Sequence, residues 1–271
     1  MANFDSGRSS NPVLKRMYGY EDVNAGDKAT YNGIILKTGY FLALIILGML
    51  AFFYMHGFFA NAGYDYQQLN YSARIYTNEM VIYAGATIVT LIAGFVAAFI
   101  PKTVPVAGSV YCAGMGYIVT FTSFTYAAAY KGIVMEALLL TVLLVAALLF
   151  LYKKGIVKVG SRFRAIVYSA LMVSVIASAL YFILYLIIPN SGLVKALTAI
   201  QYGPLGIVFA FLGVLMGAFL IVDDFENITQ TVEYGLSKKY EWTASYGLII
   251  SMIYLYLRIL QLLARIANKR N

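Results

Sequence analysis

Segments of about twenty apolar residues recur along the whole of this 271-residue chain, and they limit its possible folds more than any other feature. The hydrocarbon core of a bilayer is ~30 Å thick, and a helix needs about 20 apolar residues to cross it. The segments lie at 34–59, 80–100, 105–129, 133–152, 165–188, 203–222 and 242–264. Their apolar residues are continuous and do not alternate with period two, which favours helices over a barrel. The sequence therefore predicts an all-α integral membrane protein with seven transmembrane helices.

The composition points to lipid as the solvent of this chain. Hydrophobic residues make up 61% of the sequence and charged residues 12%, whereas a soluble domain has ~25% charged residues. The formal net charge is +8, but the Lys and Arg residues are dispersed between the apolar segments. Because they do not cluster on one face, we expect no nucleic-acid partner. We divide the chain into a polar N-terminal tail (1–32), a membrane domain (33–265) and a short basic C-terminal tail (266–271).

The distribution of basic residues predicts the orientation in the membrane. If the N-terminus is inside, twelve Lys and Arg residues of the tails and loops lie inside and six lie outside. Cytoplasmic loops carry an excess of Lys and Arg, so the N-terminus is predicted to be cytoplasmic. Seven spans then put the C-terminus outside.

The sequence does not supply the residues that most membrane enzymes require. Its single histidine, His56, ends the first apolar segment, and its single cysteine, Cys112, lies inside the third. A histidine-based metal site or Ser-His dyad cannot be built from one histidine, and no nucleotide-binding glycine loop is present. We interpret His56 as an interfacial residue and Cys112 as a small packing residue. The sequence thus predicts no enzyme, no metal centre and no cofactor.

Charged residues within apolar segments are the candidates for function, because a bilayer makes them costly. Glu136 is the fourth residue of the fourth segment. It is either a functional residue within the membrane or a residue whose side chain reaches back to the membrane surface. Asp223, Asp224 and Glu226 end the sixth segment, and their helix is predicted to continue to about Gly235. Successive helix positions differ by about 100°, so Asp223 and Asp224 cannot both face one neighbour. A solvated acidic rim is the alternative interpretation of these three carboxylates.

Arg258 is the one basic residue deep in the last apolar segment. It lies seven residues before Arg265, about 10 Å along a helix, so it either extends to the outer surface or pairs with an acidic residue. If the preceding hairpin turns at 236–239, the residue opposite Asp224 is near Ile250, and Arg258 lies about 12 Å beyond it. A long guanidinium covers part of that gap, which makes Asp224 a candidate partner.

Several motifs resemble those of the Bax inhibitor-1 family, in particular its bacterial YccA-like branch. They are SNPVLKR at Ser10–Arg16, GIVMEALLLT at Gly132–Thr141, DFENI at Asp224–Ile228, YEWTASYGL at Tyr240–Leu248 and YLYLRILQLL at Tyr254–Leu263. The resemblance covers nearly the whole chain. It implies six helices that surround the C-terminal one, a bacterial inner-membrane location and a cation leak pathway, best described for calcium.

In that family a D-[TF]-x-x-I motif and an L-[YF]-L-D motif bring two carboxylates together. Two such carboxylates share a proton and form a pH-sensitive latch. By motif Asp224 takes the first position, but the second position is Arg258. Because arginine keeps its charge, we hypothesise a fixed Asp224–Arg258 ion pair that is insensitive to mildly acidic pH. This sequence also lacks the acid that many bacterial members carry near the position of Met115, which reduces the attraction for cations.

Two functions are compatible with these features. The first is a cation leak channel or transporter for Ca²⁺, with Asp224 and Arg258 as the main gating residues. Asp223, Glu226 and Glu136 are its further candidate site residues. The second is a non-conducting regulator that binds other membrane proteins, such as a membrane protease, through its polar tail and helix faces.

Overall fold

The computed structural model describes residues 28–62, 66–68, 74–157, 160–188 and 191–270, so most of the predicted polar tail, with its motif at Ser10–Arg16, lies outside the described residues. Within them the chain is almost entirely helical. The helices are α1 (Tyr31–Ala62), α2 (Thr77–Phe99), α3 (Ser109–Ala129), α4 (Ile133–Lys153), α5 (Ser161–Ile187), α6 (Gly192–Tyr202), α7 (Pro204–Glu233) and α8 (Tyr240–Arg270). Two short strands, β1 (Tyr66–Gln68) and β2 (Arg74–Tyr76), pair in antiparallel fashion between α1 and α2.

Six of the described helices are long and apolar enough to cross a membrane. Their apolar stretches lie in α1, α2, α3, α4, α7 and α8. The seventh predicted span, 165–188, coincides with α5, in which the apolar stretch found among the described residues is the shorter Arg164–Ser178. The prediction of a multi-pass α-helical membrane protein is confirmed, whereas the seventh crossing remains a prediction.

The outer surface of the helices is apolar, as a lipid environment requires. Large hydrophobic side chains such as Leu36 and Leu47 of α1, Leu143 of α4 and Ile166 of α5 are more than half exposed. Inside, one cluster of buried apolar residues joins α4, α7 and α8, and a second joins α1, α2, α3 and α8. The helices therefore bury one face against each other and present the other to lipid.

Helix α8 has the most central position of the described helices. It packs against α7, α1, α4 and α3, while α2 packs mainly against α3, and α5 packs against α6 and α7. Small residues permit these contacts: Cβ atoms added at Gly213 and Gly217 of α7 would lie 2.9–3.0 Å from side-chain atoms of α8. The arrangement of six helices around the last one remains a prediction.

The turns between consecutive helices match the short connections of the sequence. Gly132 adopts the left-handed conformation (φ 83°) between α3 and α4, which contact each other. A 3₁₀ turn at Pro101–Thr103 and a π turn at Val104–Gly108 join α2 to α3. Gly235, with φ 61°, begins the turn between α7 and α8. Helix α7 continues past the predicted apolar segment 203–222 to Glu233, close to the predicted end.

The start of α1 is attached to the turn between α7 and α8. Lys28 forms a bridge with Ser237, and the Ala29 amide donates to the Leu236 carbonyl. The fully buried Glu241 of α8 accepts a hydrogen bond from the Thr30 amide (2.8 Å) and forms an ion pair with Lys37 of α1. We call this set of contacts, at residues 28–37, 236–237 and 241, the N-terminal clamp.

Two features of the structure go beyond the pattern of apolar segments. Lys37 lies within the first segment, and its ammonium group is held by a buried carboxylate. Helix α8 extends to Arg270, through most of the segment predicted as a short basic tail. The short helix α6 and the β1–β2 hairpin were not predicted, since each is too short or too polar to give a membrane signal.

Candidate functional site in the acidic segment of α7

Three carboxylates near the end of α7 point toward three different helices. Asp223 faces α5, Asp224 faces α8 and Glu226 faces α4. This divergence follows from the 100° step between helix positions, and it confirms that Asp223 and Asp224 do not share a neighbour. Neither is a freely solvated rim residue, since both bury carboxylate oxygens within the bundle. We call residues 223–226 the acidic segment.

Asp223 is held by groups from α5 and from its own helix. Its side chain is 2% exposed, and its Oδ1 atom lies 2.5 Å from Nη2 of Arg164. Its Oδ2 atom accepts hydrogen bonds from the Tyr168 hydroxyl (2.8 Å) and the Asn227 amide (3.3 Å). The Arg164 Nε atom is buried, and none of the described residues forms a hydrogen bond with it. The negative charge of Asp223 is therefore balanced by Arg164, across the α5–α7 contact.

Asp224 has a different environment, since no Lys or Arg side chain forms an ion pair with it among the residues that the structure describes. The Ser251 side chain of α8 lies beside it, close enough for an electrostatic interaction. The Oδ1 atom lies 3.2 Å from the position that a Cβ on Gly247 would occupy. The Oδ2 atom is buried and has no hydrogen-bond partner within the described part of the chain. Asp224 is thus a carboxylate in an apolar span whose hydrogen-bonding capacity is only partly used.

Glu226 connects the acidic segment to α4. Its Oε2 atom accepts a hydrogen bond from the Tyr152 hydroxyl (3.1 Å), and its Oε1 atom accepts one from the Gln230 side chain (2.9 Å). The same Tyr152 hydroxyl lies 3.0 Å from Thr229 Oγ1. Neutral donors thus satisfy Glu226, which has a positioning role between α4 and α7.

Glu136 is not brought to the acidic segment. It is exposed in the first turn of α4. The acidic segment contacts the last turn of this helix through Tyr152. The helical rise between Glu136 and Tyr152 amounts to about 24 Å, so most of the length of α4 separates the two sites. The position agrees with the interpretation that Glu136 extends to the membrane surface.

Arg258 does not reach Asp224 in this structure. Its Nη1 atom donates to Gln261 Oε1 (3.1 Å), and its guanidinium lies 4.9 Å from the centre of the Tyr254 ring. Its aliphatic part packs on Gly213 of α7. Gly213 precedes Asp224 by about 16 Å of helix. Asp224 lies opposite residues of α8 near Ile250, as predicted. The predicted Asp224–Arg258 contact is not formed, because the guanidinium does not cover the remaining distance along the helices.

Sequence reasoning missed the partners that the acidic segment does have. Arg164 is one of the twelve basic residues predicted to lie inside, and its position shortly after Gly160, at the start of an apolar helix, marks it as a basic residue near the membrane surface. Ser251 and Tyr168 are too common in membrane helices to give a signal. Their identification required the packing of α5 and α8 against α7.

His56 and Glu79 form a further polar pair, at the other end of the bundle. The His56 Nδ1 atom lies 2.7 Å from Glu79 Oε1, and the imidazole stacks on Phe52. Glu79 is 1% exposed. His56 is therefore part of the helix contacts and not simply interfacial. Within the described ranges, no group of three or more His, Cys, Asp or Glu residues is arranged to hold a metal ion.

Comparison of the sequence with models of known protein families identifies the family of this chain. The model described as Bax inhibitor 1 like matches residues 11–268. The chain belongs to the Bax inhibitor 1 like family. No curated protein and no solved structure matches the chain in the corresponding comparisons. In this family member, the acidic segment is surrounded by α4, α5 and α8, and the basic residue that binds it comes from α5.

Proposed function

We propose that this member of the Bax inhibitor 1 like family is a cation leak protein, with Ca²⁺ as its transported ion and Asp224 as the cation contact. The observation that carries the proposal is the partly unpartnered Asp224 carboxylate within a membrane-spanning helix. Ionisable residues at such positions are costly and commonly mark ion pathways. Oxygen atoms of carboxylates and hydroxyls are the ligands that Ca²⁺ prefers, and Ser251 adds a hydroxyl.

The distribution of charge around Asp224 supports a cation over an anion. Arg164 is bound to Asp223, and Arg258 lies away from the acidic segment beside Gln261 and Tyr254. The negative charge of Asp224 is thus available to an ion that reaches it between α7 and α8. Asp223 and Glu226 hold α5 and α4 against the same segment of α7.

The gate in this proposal is the Arg164–Asp223 pair, in place of the Asp224–Arg258 latch. This pair joins α5 to α7 one residue before the cation contact. Separation of the pair releases α7 from α5, so that α7 can move from α8 and ions gain access to Asp224 between these two helices. The same proposal includes seven membrane crossings and an inner-membrane location in a bacterium. The N-terminus is then cytoplasmic and the C-terminus external. The proposal assigns no catalytic chemistry or resident cofactor to the chain.

Ion flux into proteoliposomes tests this function. We expect vesicles that contain the wild-type chain to admit Ca²⁺ faster than empty vesicles. Asp224→Asn removes a charged contact worth ~1.5–3 kcal/mol, so the flux should fall about tenfold or more. Glu136→Gln is the control, since Glu136 is exposed and separated from the acidic segment. Flux equal to that of empty vesicles for every variant would contradict conduction.

A regulator that binds another membrane protein is the second candidate function. The observation in its favour is the N-terminal clamp, through which residues 28–30 are attached to the α7–α8 turn. The polar tail thus leads into the turn that follows the acidic segment. This function predicts that a membrane-protein partner copurifies with the full chain and is lost when residues 1–27 are removed, without any ion flux.

A further inference from the structure

Three buried hydroxyl groups lie between α2, α3 and α8, apart from the acidic segment. They belong to Thr90 of α2, Tyr117 of α3 and Tyr246 of α8, whose exposed fractions are 2%, 6% and 4%. Each hydroxyl oxygen is buried and has no hydrogen-bond partner among the residues that the structure describes. A buried polar group without a hydrogen bond is unfavourable and is usually satisfied by protein or by ordered water. These three groups therefore need a partner that the neighbouring side chains do not provide.

The packing around these hydroxyls places two of them along one face of α2. The Thr90 hydroxyl lies against Gly114 of α3, where the glycine has no side chain to cover it. The Tyr246 hydroxyl lies 3.9 Å from the position that a Cβ on Gly94 would occupy. Thr90 and Gly94 are one turn apart on the same face of α2. The hydroxyls of Thr90 and Tyr246 consequently lie at neighbouring turns of the same face of α2.

Tyr117 extends this row toward the His56–Glu79 pair. It lies one turn of α3 beyond Gly114, the neighbour of Thr90, and its hydroxyl is close enough to Glu79 for an electrostatic interaction. Glu79 in turn contacts His56, whose side chain is 23% exposed. The polar groups therefore form a series from a partly exposed histidine into the middle of the bundle.

We propose that a file of ordered water molecules occupies this region, from the His56–Glu79 pair past Tyr117 and Thr90 to Tyr246. One helical turn is ~5.4 Å, and two hydrogen bonds of ~2.8 Å span that distance, so one water molecule bridges hydroxyls that lie one turn apart, and a longer gap takes more than one. Buried water in proteins typically makes about three hydrogen bonds, and hydroxyls can both donate and accept them. The file gives the His56–Glu79 end of the bundle a hydrogen-bonded connection to its interior, independently of any cation pathway at Asp224.

Radiolytic hydroxyl labelling of the full chain in detergent tests this proposal. Radicals formed from bound water label the side chains beside it, so Tyr117 and Tyr246 should be labelled several times more than the similarly buried Phe41 and Phe52. Thr90→Val removes the middle hydroxyl and should lower the labelling of both tyrosines by at least half. Thr90→Ser keeps a hydroxyl and should preserve the labelling.

The matched control is Thr141→Val, because Thr141 is also buried in an apolar helix but its hydroxyl donates to the Ala137 carbonyl of the same helix. This variant should leave the labelling of both tyrosines unchanged. The proposal is overturned if the tyrosines are labelled no more than the phenylalanines. It is also overturned if Thr90→Val has no larger effect than Thr141→Val in proteins that are equally folded by circular dichroism.

Discussion

At the scale of single residues, Arg164 and Arg258 differ in the residues that they contact. Arg164 is bound to the buried Asp223, whereas Arg258 contacts Gln261 and Tyr254 and lies apart from Asp224. Groups in contact show non-additive effects on stability, while separate groups show nearly additive ones. The two arginines should therefore differ in their coupling to the acidic segment.

Double-mutant cycles measure that coupling. For Arg164→Met and Asp223→Asn, we expect a coupling free energy of ~1–3 kcal/mol, because the residues are in contact. For Arg258→Met and Asp224→Asn, we expect less than about 0.5 kcal/mol. Unfolding midpoints of the purified variants in detergent provide the values. A larger coupling for the second pair would restore the latch predicted from the sequence.

A second prediction at this scale concerns the contact between α1 and α3. A Cβ on Gly48 would collide with the Ala113 backbone carbonyl, whereas a Cβ on Gly39 of the same helix would meet no atom within 4 Å. Overpacking typically costs ~1–3 kcal/mol, so Gly48→Ala should lower the thermal unfolding midpoint. Gly39→Ala is the matched control and should leave it equal or slightly higher, since alanine favours the helix. Equal midpoints for both variants would show that this helix contact is wrong.

At the scale of the elements, the N-terminal clamp joins the first helix to the last. Glu241 is 0% exposed and binds Lys37 and Thr30 of the α1 region. Removal of one partner of a buried ion pair costs ~3–5 kcal/mol. We expect Glu241→Gln to destabilise the chain and to increase amide hydrogen exchange in residues 30–37. Glu136→Gln, the exposed control, should change neither quantity, and unchanged exchange in Glu241→Gln would refute the clamp.

The positions of the helices were predictable from the sequence, but their contacts were not. Continuous apolar segments defined α1–α4, α7 and α8 because the membrane requires about 20 apolar residues for each crossing. The divergence of Asp223 and Asp224 followed from helix geometry alone. The partners of these carboxylates depend on which helix packs against which face of α7, and hydropathy carries no such information. For this reason Arg164 and Ser251 emerged only from the structure.

At the scale of the whole molecule, the charged pairs lie at two ends of an apolar bundle. The clamp and the acidic segment lie toward the end where α1 begins, and the His56–Glu79 pair lies where α1 ends. The excess of Lys and Arg in the loops predicts that the first of these ends is cytoplasmic. Cysteines introduced at exposed Lys102 and Lys131, in a Cys112→Ser background, test this orientation. A membrane-impermeant thiol reagent added outside intact cells should label position 131 and not position 102, and the reverse pattern would invert the topology.

The most direct test of the proposed function is the rate of Ca²⁺ entry into proteoliposomes for Arg164→Gln, alone and combined with Asp224→Asn. In the proposal Arg164 belongs to the gate and Asp224 is the cation contact. Arg164→Gln should therefore raise the rate above wild type, and the double variant should lose that increase, while Glu136→Gln remains at the wild-type rate. An Arg164→Gln rate equal to wild type, or a double variant as fast as Arg164→Gln, would contradict the proposed arrangement of gate and contact.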